Sequence, residues 1–478
     1  MRFTSPAATA AALAALALTG CASHRQPDVA LPAAFEAPAA VEGVVDLDRW
    51  WAAFDDPQLT TLIEGALVEG FDTRIAATRL AEARAVRTSQ LLQFGPQGNI
   101  TGSARRTETD QIDGTAVDIP GFSTSGTSDR YAADFNVSWE LDLFGRIFTA
   151  NRAASADVAA ARFAYEGARA SLAAAVADAY FQARGLAIQL ADARETARIQ
   201  RELLNIARIR AERGLGATSD ADRVAGDLAQ AESQVEALES ELASARRSLL
   251  VVVGRGTDPL ANMSVPASVG EAPPAPRTLP GELLARRPDV REAEARFRSA
   301  LGRKQLTAKA FFPTFTLTPG IGIQRQEQPN FESTSSSWNV GAGVTIPVLD
   351  IPRLLAELRA QDARTEQAAL TYEKAVQTAY GEAENALLRL EADRRRVVLL
   401  EEGERRAQTA YEAARIRYSR GLGDLQTALS AEQAWRAIRA QLTAAQVQAM
   451  RRAVQAYQAV GGGWPSAATA SSGRGEMG

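Results

Sequence analysis

Histidine and cysteine are nearly missing from this chain. Its 478 residues hold one of each, His24 and Cys21, three positions apart near the N-terminus. A body without either residue can assemble no His/Cys metal cluster, no Ser-His-Asp triad and no Cys-His pair. No GxxxxGK[ST] stretch occurs, nor a Gly-rich strand-to-helix phosphate loop. Acidic pairs remain, but each falls on a charged, helix-patterned face and reads as solvated surface. The expectation is a protein that is not an enzyme and uses neither metal nor cofactor. Neither sign of charge dominates: 53 Lys and Arg against 57 Asp and Glu leave a net of −4, which argues against nucleic acid as a partner. Proline is absent from Pro120 to Pro259 and again from Pro352 to Pro465. Windows that long without a helix breaker invite long helices.

The apolar run at the start is short. After Met1-Arg2 it extends from Ala7 to Leu18 and ends in Leu18-Thr19-Gly20-Cys21. A basic start, a brief apolar core and small residues describe a secretory signal over residues 1–20, too short for a permanent span. The Leu-Thr-Gly-Cys ending resembles a bacterial lipobox, in which the thiol is diacylated and the chain is cut just before it. Acyl chains add about 0.8 kcal/mol per buried methylene, so a lipidated Cys21 would hold the chain on a bilayer. Ala22 follows where an aspartate would favour the inner membrane, so the outer membrane is expected. Residues 21–46, rich in Ala and Pro without a period, read as the lipidated tether.

What is present is a repeat. ARIRAERGLG at 207–216 and ARIRYSRGLG at 414–423 stand 207 residues apart, each inside a proline-free window. A Gly-Leu-Gly amid helix pattern is a turn, and glycine at 214, 216, 421 and 423 allows the positive φ that ends one helix and starts the next. From Arg146 to Arg213 a single helix would run roughly 100 Å at 1.5 Å per residue. Kinks at Gly167 and Gly185 are the alternative. Phe163, Leu172, Val176 and Tyr180 mark its packing seam, read as coiled-coil core. Earlier, Leu59, Leu62, Ile63, Ala66 and Leu67 keep helical spacing, and a second helix runs from Arg74 to Leu92.

Two strand pairs lie between the helices. Phe135, Val137, Trp139 and Leu141 alternate with polar residues, as do Trp338, Val340, Ala342, Val344 and Ile346 with Asn339, Gly341, Gly343 and Thr345. Their partners are 97–105 and 314–324, with polar loops at 106–130 and 325–337. Alternation over roughly ten residues suits a transmembrane barrel strand or a soluble sheet equally. The two halves correspond throughout: Asp72, Arg79 and Pro96 match Asp289, Arg296 and Pro313, while Val137 and Arg146 match Val344 and Arg353. The first repeat covers 47–258, a Pro-rich linker 259–280, the second repeat 281–464, and a disordered tail 465–478. Four strands cannot close a membrane barrel, and an open edge in lipid leaves backbone groups unpaired at several kcal/mol each. Several copies would have to share one barrel, continued by a ring of helices.

The residues W-W-x-x-F-x-D-P-x-L at 50–59, S-W-E-L-D-L-F-G-R at 138–146, R-R-P-D-V at 286–290 and A-V-G-G-G-W at 459–464 carry a resemblance. With the two RGLG turns, they make the chain similar to TolC-type outer-membrane efflux proteins, in the lipoprotein branch that works with RND pumps. The resemblance implies a mainly α fold with a β portion: a homotrimer whose long hairpins form a periplasmic α-barrel and whose four strands per chain build a shared transmembrane β-barrel. It implies an outer-membrane conduit, lipid-anchored and reaching into the periplasm, with a periplasmic adaptor and an inner-membrane RND-type transporter as partners. It further implies adaptor docking at the tips, Arg213, Gly214, Leu215 and Gly216 with Arg420, Gly421, Leu422 and Gly423. Leu215 and Leu422 are the exposed apolar candidates.

Relatives narrow the periplasmic end with aspartates after the second hairpin's glycine. Here the candidates are Asp424, Gln426, Thr427 and Ser430, together with Asp220 and Asp222 of the first hairpin and Tyr418. Tyr418, Arg420 and Arg213 are expected to pair across the closed tip. The rival readings are a periplasm-spanning scaffold or an adaptor lipoprotein without its own pore. A scaffold has no need of alternating strands, and an adaptor carries one hairpin where this chain has two.

Overall fold

Helices of unusual length dominate a computed structural model of the chain. It describes residues 26–37, 47–110, 112, 126–276, 278–328 and 331–463. Cys21, His24, Trp464 and the C-terminal tail lie outside them. The order is α1 (Pro57–Glu69), α2 (Phe71–Leu92), β1 (Gln97–Thr109), β2 (Gly126–Leu141), α3 (Arg146–Glu212), α4 (Thr218–Val252), α5 (Glu282–Arg286), α6 (Pro288–Ala308), β3 (Thr314–Gln328), β4 (Phe331–Thr345), α7 (Ile351–Ser419) and α8 (Leu425–Ala459). A 3-10 segment, Leu47–Phe54, precedes α1. Helices α3 and α7 hold 67 and 69 residues. Helix α3 passes through Gly167 and Gly185 without a break. The chain divides into two units, one of Met1–Pro27, Ala81–Ala160 and Glu294–Thr371, the other of Asp28–Leu80, Ala161–Ala293 and Tyr372–Gly478.

The first unit contains the sheet. Its strands run in the order β1-β2-β3-β4, antiparallel throughout. The two expected strand pairs are therefore one sheet, joined where β2 meets β3. The strands also reach further than expected, into residues 106–109, 126–130, 325–328 and 331–337. The L-D-L-F-G-R motif is a strand-to-helix corner. Asp142 accepts from the Arg146 and Ile147 N–H groups at 2.6 and 2.9 Å, which suits a carboxylate at a helix N-terminus. Phe144 stacks on Phe312 with centroids 4.9 Å apart, and Lys309 donates to the Gly145 carbonyl at 2.6 Å. Below that corner Asp157 accepts from Ser299 at 2.6 Å and from Arg303 at 2.7 Å, joining α3 to α6.

In the second unit the core gathers where the 3-10 segment and α1 lie against α3, α4, α7 and α8. Trp50, Phe54, Leu59, Ile63, Val176, Tyr180, Phe181, Leu249 and Tyr457 are all buried there. Leu172, Val176 and Tyr180 thus belong to a mixed core rather than to a coiled-coil seam. Phe163 lies outside it, half-buried beneath the Arg291 guanidinium at 4.1 Å. Asp56 organises one side of this core. It caps α1 through the Leu59 N–H at 3.0 Å, accepts from the Tyr180 hydroxyl at 3.0 Å and pairs with Arg184. Arg184 and Tyr457 also tie down the linker, donating to the carbonyls of Ser268 and Pro274. The linker is therefore packed, not a free spacer. Arg287 of R-R-P-D-V holds Asp289, Glu382 and the Ala459 carbonyl, and the Gly463 N–H donates to the Leu47 carbonyl at 2.7 Å. Part of the tether is docked as well: Asp28 and Ala37 N–H groups donate to Glu373 and Glu384 at 2.9 and 2.6 Å, and Phe35 stacks on Tyr380.

Candidate functional site

Both hairpins turn by the same hydrogen bonds. Leu215 N–H donates to the Arg210 carbonyl at 2.8 Å and Gly214 N–H to the Ala211 carbonyl at 3.0 Å. Leu422 and Gly421 do likewise to Arg417 and Tyr418, at 2.9 and 3.0 Å. This Schellman closure needs one left-handed residue per helix end, and φ is +70° at Gly214 and +75° at Gly421. Gly216 and Gly423 have no positive φ, contrary to expectation, because the closure is complete before the chain reaches them. Leu215 and Leu422 stand 66% and 68% exposed.

The cross-tip link is made by an arginine that the repeat pattern alone does not single out. Arg210 lies over the Tyr418 ring, 5.1 Å from its centroid, and donates to the Tyr418 and Leu215 carbonyls at 3.2 and 3.3 Å. Among the described residues, the side chains of Arg213 and Arg420 join no ion pair, so the expected pairing through them is replaced by Arg210. Tyr418 itself is buried with Leu203, Val224, Leu425 and Leu429. Burial pushes its hydroxyl pKa up, with Asp220 adding to the rise.

The other gate candidates separate. Asp424 caps α8, accepting from the Thr427 N–H at 2.7 Å and hydroxyl at 2.8 Å, and those bonds hold its carboxyl below the usual range. At the corresponding place in the first hairpin Ala217 begins α4 with no side-chain cap. Gln426 accepts from Arg223 of α4 at 2.7 Å and donates to Ser430 at 3.3 Å. Asp222 is exposed.

Further along the same helices lies a second feature missed from sequence. Glu432 is fully buried and accepts from Gln200 of α3 at 2.8 Å. Its second oxygen, the Gln200 carbonyl oxygen and the Tyr411 hydroxyl of α7 are buried with no hydrogen-bond partner among the described residues. Arg436 approaches Glu432 at 3.5 Å. Burial raises the Glu432 pKa and lifts Tyr411 to about 12; Arg436 and Gln200 oppose the rise at Glu432, while Asp227 of α4 adds to it. A carboxyl whose pKa is raised by folding stabilises the packed state at low pH, and that contribution fades as pH rises through the folded value. The two hairpins should therefore melt at a lower temperature at pH 8 than at pH 5. Glu432→Gln should narrow that gap, since each tenfold difference in proton affinity between folded and unfolded chains is worth about 1.4 kcal/mol. An unchanged gap in paired melting curves would exclude Glu432 as its source. The sequence signal was there: Glu432 sits where Leu425, Ala428, Leu429 and Trp435 define a buried stripe.

The sheet has two chemically distinct faces. Ile100, Phe135, Ile321 and Trp338 form one row straight across it, and Tyr131, Trp139, Leu317, Phe315, Val340 and Val344 share that face. Ile100 and Trp338 are nearly four-fifths exposed. The opposite face carries Thr101, Asp134, Asn136, Thr318, Gly320, Gly322, Ser337 and Asn339. From Leu141 to Tyr131 the apolar band covers about 25 Å for strands tilted by about 40°, the height typical of the apolar band on outer-membrane barrels. No helix among the described residues is long and apolar enough to cross a membrane, and none groups His, Cys, Asp or Glu for a metal ion.

Comparison with known proteins agrees with this geometry. The pyoverdine export outer membrane protein OpmQ of Pseudomonas putida is 28% identical over 465 residues, covering 94% of this chain and 96% of its own length. The cation efflux system protein CusC of Escherichia coli is 28% identical over 481 residues, with 94% and 97% covered. The solved outer-membrane channel OprN superposes with a TM-score of 0.78 at 29% identity, over 92% of this chain and 98% of that one. The family model described as outer membrane efflux protein matches residues 62–255 and 279–462, and the chain belongs to that family.

Proposed function

We propose that this chain is the outer-membrane conduit of a tripartite efflux system, a passive channel through which small molecules handed on by a periplasmic adaptor and an inner-membrane RND-type transporter reach the exterior. The observation that carries this reading is the four-stranded sheet, apolar on one face and polar on the other, with β1 and β4 each unpaired along one edge. Closure by three copies satisfies every edge and gives twelve strands, a number within the range of outer-membrane barrels. The apolar face then meets lipid and the polar face lines the passage. A scaffold or adaptor without a pore has no use for such a face. Cys21 supplies the lipid anchor and the docked tether carries the chain back from it. The tips receive the adaptor, and Arg210, Tyr418, Arg223 and Gln426 hold them closed.

Reconstitution tests the proposal. Purified protein should run as a trimer, conduct in planar bilayers, and conduct more after Arg210→Ala with Tyr418→Ala. It should also incorporate labelled palmitate that Cys21→Ser loses. A trimer that stays silent even with its tips unlinked would refute the conduit.

A further inference from the structure

The loop end of the sheet carries four arginines, and the two faces treat them differently. On the apolar side, beyond Tyr131, Arg106 pairs with Asp129 at 3.0 Å and Arg325 with Glu327 at 2.7 Å and with Glu332. On the polar side Arg105 and Arg130 lie directly opposite one another in the β1–β2 register. Among the described residues neither has an acidic partner. The row they occupy continues through Gln326 to Ser333. The row before it on this face holds Ser103, Ala132, Gln324 and Ser335, all uncharged. Among the described residues, the nearest acid on the face is Asp134, four residues along β2. At about 3.3 Å per residue that is roughly 13 Å, beyond the screening length of about 8 Å at physiological salt.

Like charges directly opposed across an antiparallel pair are unfavourable, and no neighbouring carboxylate among the described residues offsets them. Two adjacent guanidinium forks present a donor array matched to carboxylate or phosphate oxygens. We propose that Arg105 and Arg130 form an anion-binding site on the passage wall at the external end of the barrel. It favours exit of carboxylate- or phosphate-bearing small molecules over cations. This rests on the conduit reading, since three copies would set six guanidinium groups around one rim and concentrate their field across it.

The test uses the full-length protein in detergent and in planar bilayers, with inorganic pyrophosphate as the probe. By calorimetry at low salt, Arg105→Gln with Arg130→Gln should bind pyrophosphate roughly tenfold more weakly than the wild type, while Arg106→Gln on the other face binds as the wild type does. In a potassium chloride gradient the double variant should show a chloride-to-potassium permeability ratio lower by about twofold or more. Equal pyrophosphate affinity in wild type and double variant would overturn the site whether or not the protein conducts. An equal loss from Arg106→Gln would do the same. Absence of conductance with the affinity difference intact would instead sink the conduit and spare the anion site.

Discussion

A chain carrying Leu215→Ser and Leu422→Ser together should fail to restore drug resistance to a host lacking its own conduit, while still reaching the membrane as trimers. The two leucines are about two-thirds exposed, so the fold makes little use of them. Surface changes of this kind usually alter stability by about 0.5 kcal/mol or less. Docking is another matter. Burying a leucine against a partner contributes about 1.5–3 kcal/mol, and each subunit offers two. Losing about 2 kcal/mol at one tip weakens a contact roughly thirtyfold, so either single substitution should give partial resistance and the double almost none. Inhibitory concentrations measured beside membrane trimer levels separate docking from folding. Full resistance from the double variant would remove the tips from the adaptor interface.

The second large effect is structural. Asp56→Ala should destabilise the protein by about 3–5 kcal/mol, because it leaves Arg184 buried without its carboxylate. The Tyr180 hydroxyl, whose pKa burial drives up, loses Asp56 as an acceptor in the same stroke and keeps only Gln58, at 3.1 Å. The α1 cap accounts for about 1 kcal/mol of that figure. Asp56→Asn keeps a capping oxygen and discards the charge, so it should recover no more than the cap. Thermal melting of the two variants side by side measures the split. If Asn restored wild-type stability, the cap rather than the ion pair would be the important interaction.

The long hairpins were plain in the sequence: a helix from Arg146 was expected to end at Arg213 and ends at Glu212. Apolar alternation likewise marked β2 and β4, but it stopped short of their loop ends. Beyond Tyr131 the outward row becomes Arg106, Asp129, Glu327 and Glu332, so both faces are polar and the two-residue period vanishes. Strand β1 is harder still, since Gly98, Gly102 and Ala104 share Ile100's face and leave one bulky residue to carry the signal. At the tips, repetition drew the eye to RGLG itself. The working residue is Arg210, three positions earlier, where the second repeat has Arg417. What distinguishes it is the neighbour across the turn of the repeat, Tyr418 where the first copy has Ala211. Contacts between hairpins are not periodic, and Glu432 with Gln200 could be paired only once α3 and α8 were side by side.

Capping makes the two tips mechanically unequal. Asp424 caps the returning helix of the second hairpin, whereas Ala217, its counterpart, offers α4 no side-chain oxygen. Unwinding the first turn of α4 therefore costs about 1 kcal/mol less than unwinding that of α8. Fraying of helix ends is where local opening begins, so amide exchange at Asp220 should run ahead of that at Thr427, whose N–H the Asp424 carboxylate holds. The chain thus has one compliant fingertip and one stiff one, and under load the compliant one will be first to yield.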